Sequence, residues 1–145
     1  MKPIEILLVE DNPGDARLAR EAMSESKIMN NIHHARDGEE ALAFLHKHPP
    51  FTDVPQPDLI LLDLNLPKRH GREVLQEVKT DARLMHIPIV VLTSSQAEED
   101  IKRSYQLHAN CFITKPVDLD QLNKVVQGIE QFWFTLVTLP PDVEV

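Results

Sequence analysis

Five polar residues in this 145-residue chain have types and positions suited to one piece of chemistry. Glu10 and Asp11 follow the short apolar run Ile4–Val9, and Asp63 closes the run Leu59–Leu62. Three carboxylates gathered in one pocket repel one another and raise each other's proton affinity. A hard cation removes that conflict. Mg²⁺ suits it, because it takes a few carboxylates, keeps waters and leaves room for phosphate oxygens. Thr93 ends a fourth apolar run and Lys115 follows a fifth. A hydroxyl donor and an ammonium beside a carboxylate can balance the charge of a transferred phosphoryl group. Each residue alone has an ordinary explanation. Acids at strand ends commonly face water, Thr93 could cap a helix as Ser94 or Ser95 could, and Lys115 could be a solvated surface lysine. The five together, at the ends of four apolar runs, are what point to phosphoryl chemistry.

Regular elements must bring these residues to one place. The apolar runs are Ile4–Val9, Ile32–Ala35, Leu59–Leu62, Ile89–Leu92 and Cys111–Ile113. Three are near-continuous, as in strands covered on both faces, and His33 and His34 make the second run the weakest. Helical spacing fills the gaps. Asp15–Ser26 carries Leu18, Ala19 and Ala22 on one stripe, Gly38–His46 carries Ala41, Leu42 and Leu45, and Arg72–Thr80 carries Val74, Leu75 and Val78. Gln96–Leu107 carries Ile101 and Tyr105, and a last helix from Asp118 carries Leu119, Leu122, Val125, Val126 and Ile129. Strand then helix, five times over, implies an α/β fold: a five-stranded parallel sheet with helices on both faces. Ligands of such sheets sit beyond the carboxyl ends of the strands, where all five residues fall. With the first and third strands as neighbours, Glu10, Asp11 and Asp63 converge.

Composition bounds the rest. The length fits one domain able to bury its own core. The formal charge of −8 argues against direct nucleic-acid binding, since phosphate backbones would be repelled. No apolar run reaches the length of a membrane span, and the start MKPIEILLVED is not a signal peptide. The lone Cys111 cannot close an internal disulfide, which suits a cytoplasmic protein. Residues 49–57 hold Pro49, Pro50, Pro55 and Pro57 and read as a surface loop.

Four segments carry a family resemblance: LLVEDNPGD at Leu7–Asp15, PDLILLDLNLP at Pro57–Pro67 with Gly71 beyond, VVLTSS at Val90–Ser95, and CFITKPVD at Cys111–Asp118. In this order and spacing they resemble the receiver domain of two-component response regulators, over about residues 4–131. The resemblance implies a flavodoxin-like (βα)5 fold and a role at each position. Asp63 would be the phosphoacceptor. Asp11 would ligate Mg²⁺ directly, Glu10 through water, and the backbone carbonyl of Asn65 would complete the protein ligands. Thr93 and Lys115 would contact phosphate oxygens, and the Lys115–Pro116 peptide bond would be cis. Phe112 would take the aromatic switch position, able to rotate inward but with no hydroxyl to hydrogen-bond. Tyr105 does not match that position's spacing. Phosphorylation would draw Thr93 inward, make room for Phe112 and change the surface of the fourth helix, fifth strand and fifth helix.

The chain divides into a receiver domain over residues 1–131 and an arm over residues 132–145. After the fifth helix too few residues remain for a helix-turn-helix output module. Signalling would then run through protein contact, or the chain would be a phosphorelay intermediate or phosphate sink. Phe132, Trp133, Phe134, Leu136 and Val137 form an apolar arm that either folds back on its own domain or, the preferred reading, buries against a second copy. The EDNPGDARL start, the Pro-rich insertion and the FWFTLVTLP ending resemble, more finely, the single-domain regulators paired with phytochrome kinases. The implied partner is a light-sensing histidine kinase.

Other features suggest nothing further. His46 and His48 lack the partners of a zinc site, Cys111 lies in a buried strand, and Gly38 shapes a turn. His33 and His34 alternate on a strand, so one must face out, and solvated histidines are the default. Two other classes are disfavoured by the same residues. A dehalogenase-type phosphatase needs a second Asp where Asn65 stands, and a flavodoxin-like flavin binder would find its phosphate repelled by Glu10 and Asp11.

Overall fold

The computed structural model describes residues 3–25, 29–64, 66, 71–93, 111–114 and 124, with the backbone alone for Thr93 and residues 111–114. The helices expected at Gln96–Leu107 and from Asp118, and the arm from Phe132, lie outside the described residues. The strands are β1 (Ile4–Val9), β2 (Asn30–Ala35), β3 (Leu59–Asp63), β4 (Ile89–Thr93) and β5 (Cys111–Thr114). The helices are α1 (Pro13–Ser24), α2 (Gly38–Leu45) and α3 (Gly71–Thr80). All strand pairs are parallel and their order is β2-β1-β3-β4-β5. This is the expected α/β sheet, with β1 and β3 side by side.

The period of two in the strands builds two cores. Leu7, Val9, Ile60 and Leu62 face α2 and α3, where Ala41, Leu42, Phe44, Leu45, Val74, Leu75 and Val78 cover them. Ile6, Leu8, Leu59 and Leu61 face α1 and its Ala16, Ala19, Ala22 and Met23. The register Ile6↔Leu59 and Leu7↔Ile60 keeps the two sets on their own sides. Every residue from Ile6 to Val9 and from Leu59 to Leu62 is fully buried. Each such Leu, Ile or Val contributes about 1.5–3 kcal/mol on leaving water.

Helix starts are set locally. Asn12 caps α1, its Oδ1 accepting from the Asp15 amide at 3.0 Å, and Pro13 opens the first turn. The helix therefore begins two residues before the expected Asp15 and ends at Ser24. Its buried stripe is Ala16, Ala19, Ala22 and Met23, not one containing Leu18, which is 36% exposed. At 100° per residue, Leu18 lies about 100° from the centre of that stripe. Asp37 caps α2, accepting from the Glu40 amide at 2.8 Å. At the other end of α2 the Lys47 amide donates to the Phe44 carbonyl and the His48 amide to the Ala43 carbonyl. This closing turn puts Lys47 at φ 56°, a left-handed position usually held by glycine. The segment that follows contains a cis Pro49-Pro50 bond and rests Phe51 and Val54 against the α2–α3 core. Among the described residues, no helix is long and apolar enough to cross a membrane.

β2 departs from expectation at both histidines. It is an edge strand, yet α1 covers one of its faces and α2 the other, so neither ring is left to solvent. His33 Nε2 lies 2.8 Å from Glu5 Oε1, with its ring 5.3 Å from that of Phe44. His34 Nε2 donates to the Glu10 carbonyl oxygen at 2.7 Å. Both are half-buried and hydrogen-bonded, not solvated.

Candidate functional site

The carboxyl rim of the sheet is where β1 and β3 end. Beyond Val9 the Glu10 amide still donates to the Ala35 carbonyl at 3.0 Å, so the β1–β2 ladder continues one residue past the strand. Glu10 is fully buried, and the Asn12 amide donates to its Oε2 at 3.2 Å. Asp11 is exposed at the turn into α1. Asp63 closes β3 opposite Leu92 and is 2% exposed. One carboxylate oxygen from each of Glu10, Asp11 and Asp63 lies within 4.8 Å of the others.

That grouping has an electrostatic consequence. At 4.8 Å and an effective dielectric of about 20, each ionised pair repels by about 3 kcal/mol. Two of the three groups are out of bulk water, so solvent does little to relieve them. The donor set is all oxygen, with no sulfur or imidazole among its members, which is the preference of a hard divalent ion. Glu10, Asp11 and Asp63 therefore fit a cation such as Mg²⁺ in both charge and donor type.

Backbone register brings two more positions to the same rim. Thr93 ends β4 one residue beyond the partner of Asp63, and pairs with Thr114 at the end of β5. The side chains of Thr93 and Phe112 lie outside the described set. Asn65, Lys115 and Pro116 lie outside the described residues.

One residue that shapes the rim was visible in the sequence without its reason. Gly71 opens α3, and its amide donates to the Leu64 carbonyl at 3.1 Å. A Cβ at Gly71 would stand 2.4 Å from the Asp63 carbonyl oxygen and 2.5 Å from Leu64 Cα. The start of α3 is thus pressed onto the peptide that carries Asp63, an approach only glycine permits. The available signal was a lone glycine just before the expected helix Arg72–Thr80. A second missed residue is His34, whose bond to the Glu10 carbonyl could not be read from alternation alone.

The chain matches the response regulator receiver domain family over residues 6–127. It is 51% identical over 138 residues to Response regulator Rcp1 of Synechocystis sp., covering 95% of this chain and 94% of that protein. The crystal structure of the phosphorylated cyanobacterial phytochrome response regulator RcpA is similar with a TM-score of 0.81 at 50% identity, spanning 96% of this chain and 99% of that one. The Mn²⁺-bound form of Rcp1 gives a TM-score of 0.80 at 51% identity, spanning 95% and 99%. With an acidic rim built on the parallel sheet and a family match across most of its length, this chain belongs to the response regulator receiver domain family.

Proposed function

We propose that this protein accepts a phosphoryl group on Asp63 from a phytochrome-type histidine kinase in a Mg²⁺-dependent reaction, and signals by a change of conformation. The observation that carries the proposal is the burial of Asp63 at a strand end, within 4.8 Å of the Glu10 and Asp11 carboxylates. The likeness to the phosphorylated RcpA and the Mn²⁺-bound Rcp1 supports it. An Asp63 carboxylate oxygen would attack phosphorus, forming a P–O bond as the P–N bond to the donor histidine breaks. The departing imidazole keeps the bonding pair and takes a proton from solvent. Glu10, Asp11, Asp63 and the Asn65 carbonyl would hold the cation, which neutralises charge on the phosphoryl oxygens when bound. Thr93 and Lys115 would contact those oxygens, with the cis Lys115–Pro116 bond setting the lysine's approach. Since the protein supplies alignment and charge, it acts once on itself and is not a turnover enzyme.

The acyl phosphate would bias Thr93 and Phe112 toward an inward state. Residues 132–145, with Phe132, Trp133, Phe134, Leu136 and Val137, would bury against a second copy, making a cytoplasmic homodimer that engages neither nucleic acid nor membrane. The test is acid-labile labelling by acetyl phosphate with Mg²⁺. Asp63→Asn should abolish it, and persistent labelling of that variant would move the acceptor elsewhere. Phosphotransfer from a phytochrome-type kinase, compared with other kinases of the host, tests the pairing. Loss of self-association in Trp133→Ala by sedimentation tests the arm.

A further inference from the structure

We infer that His34 is a positioning residue for the acidic rim, acting through the backbone of Glu10. The inference rests on the reading of Glu10, Asp11 and Asp63 as a cation site. Residue 10 is the last held by the sheet before the chain turns into α1. Its amide is tied to β2 by the Ala35 carbonyl at 3.0 Å. Its carbonyl is tied to the same strand by His34 Nε2 at 2.7 Å. The two bonds lie on either side of the Glu10 Cα, so together they fix both backbone torsions of that residue.

The second bond has the larger reach. The Glu10 carbonyl and the Asp11 amide belong to one rigid peptide plane. Without the His34 donor that plane can rotate, and the Asp11 side chain is carried with it. Asp11 is exposed, so little packing holds its carboxylate where the rim needs it. Glu10 is buried and accepts from the Asn12 amide, so its carboxylate has other restraints. His34 should matter most for the aim of Asp11. Register explains why this side chain can do so. His34 pairs with Leu8, so its side chain rises on the α1 side of the sheet, the side toward which the chain turns after Glu10. What the site requires of position 34 is an N–H donor at the reach of Nε2, not an ionisable group.

Three variants of the full chain separate the possibilities, with Mg²⁺ affinity read by calorimetry and amide chemical shifts. His34→Phe keeps a ring but loses the donor, and should weaken Mg²⁺ binding by about tenfold or more, as is usual when an outer support of a metal ligand is lost. His34→Gln offers an amide donor at similar reach, and should restore affinity to within about threefold of the parent. Asp11→Asn is the control for the underlying site. If His34→Phe binds Mg²⁺ as the parent does while Asp11→Asn does not, the role of His34 is refuted and the cation site stands. Equal losses in His34→Phe and His34→Gln would also refute it, since an N–H donor at that reach would then not suffice. Unchanged binding in Asp11→Asn would remove the cation site itself. Should His34→Phe not fold, His34→Met, which also lacks an N–H donor, takes its place, and parental Mg²⁺ affinity in that variant refutes the role.

Discussion

Replacing Gly71 with alanine adds one methyl group where the start of α3 meets the end of β3. The added Cβ would lie 2.4 Å from the Asp63 carbonyl oxygen, 2.5 Å from Leu64 Cα and 2.9 Å from the Leu64 carbonyl carbon. All three are backbone atoms, so no side chain can swing aside. Ordinary contact begins near 3.4 Å, and reaching it requires a backbone shift of about 1 Å. If α3 retreats, it stretches the Gly71–Leu64 hydrogen bond and loosens Val74, Leu75 and Val78, all fully buried. If β3 retreats, the Leu64–Leu92 hydrogen bond weakens and Asp63 moves with it. Overpacking of this kind costs about 1–3 kcal/mol. If Asp63 is the phosphoacceptor, as proposed, a displacement of about 1 Å there costs on the order of 100-fold in rate. Helix propensity argues for the opposite sign, because alanine is favoured over glycine within a helix by up to about 1 kcal/mol. Urea unfolding and the rate of labelling by acetyl phosphate therefore discriminate clearly. A Gly71→Ala protein as stable as the parent and labelled at the parental rate would show that the close approach is not a constraint.

Asp63→Asn should stabilise the chain by about 1–3 kcal/mol in chelator, because it removes one charge from a crowded rim. That difference should shrink when Mg²⁺ is present, since only the parent has its native state pulled down by a full ligand set; thermal unfolding with and without the ion measures both. Lys47→Gly should also stabilise. Glycine holds φ 56° without the Cβ clash that costs lysine about 1–2 kcal/mol, the unfolded chain takes back about 0.4–1 kcal/mol, and a midpoint gain in urea checks the remainder. Glu5 titrates below its ordinary value of 4.5, chiefly because of its hydrogen bond with His33, against an opposing effect of burial and with help from Asn31. In the interval between the lowered value and 4.5 the unfolded chain binds more protons than the folded one. The stabilisation is thus complete above that interval and lost as pH falls through the folded value. His33→Leu should move the Glu5 midpoint back up in a carboxyl NMR titration, and an unmoved midpoint would exclude the His33 bond as the cause.

What the sequence revealed of the fold depended on how completely each element is buried. The run Ile4–Val9 has the same limits as β1, and Leu59–Leu62 and Ile89–Leu92 each fall one residue short of their strands. From Ile6 to Val9 and throughout the other two runs the residues are buried on both faces and the apolar run is continuous, while Glu5 interrupts it where β1 is only half-buried. β2 begins at Asn30, two residues earlier than its apolar run, because an edge strand can carry polar residues such as Asn30 and Asn31. Asn31 is exposed and bonds Glu5 across the edge. Leu18 was misplaced because hydrophobicity alone ranks leucine above alanine. Small residues at 16, 19 and 22 let α1 lie close on the sheet, and that closeness selects the face. The convergence of Glu10, Asp11 and Asp63 was legible because strand order alone requires it. The supports of that rim were not. Gly71 and His34 act on the backbone of elements other than their own, and no periodicity encodes a contact of that kind.

The acidic rim is unfavourable to the fold that carries it. Two buried carboxylates within 4.8 Å of a third would be better replaced, for stability alone, by apolar residues. The sheet can tolerate them because its interior is covered on both faces and the cost falls only at its edge. Tolerating the charges is not the same as aiming them, since repelling groups move apart unless the backbone resists. Here the resistance comes from two sides. β2 holds the end of β1 through the Ala35 carbonyl and the His34 ring, and α3 holds the end of β3 through the Gly71 amide and its bare Cα. The strand ends that carry the carboxylates cannot move apart without breaking one of these holds. The repulsion is retained in the folded state, where a bound cation relieves it and any new anionic group on Asp63 alters it again. A rim built in this way is sensitive to charge because its backbone is not free to adjust.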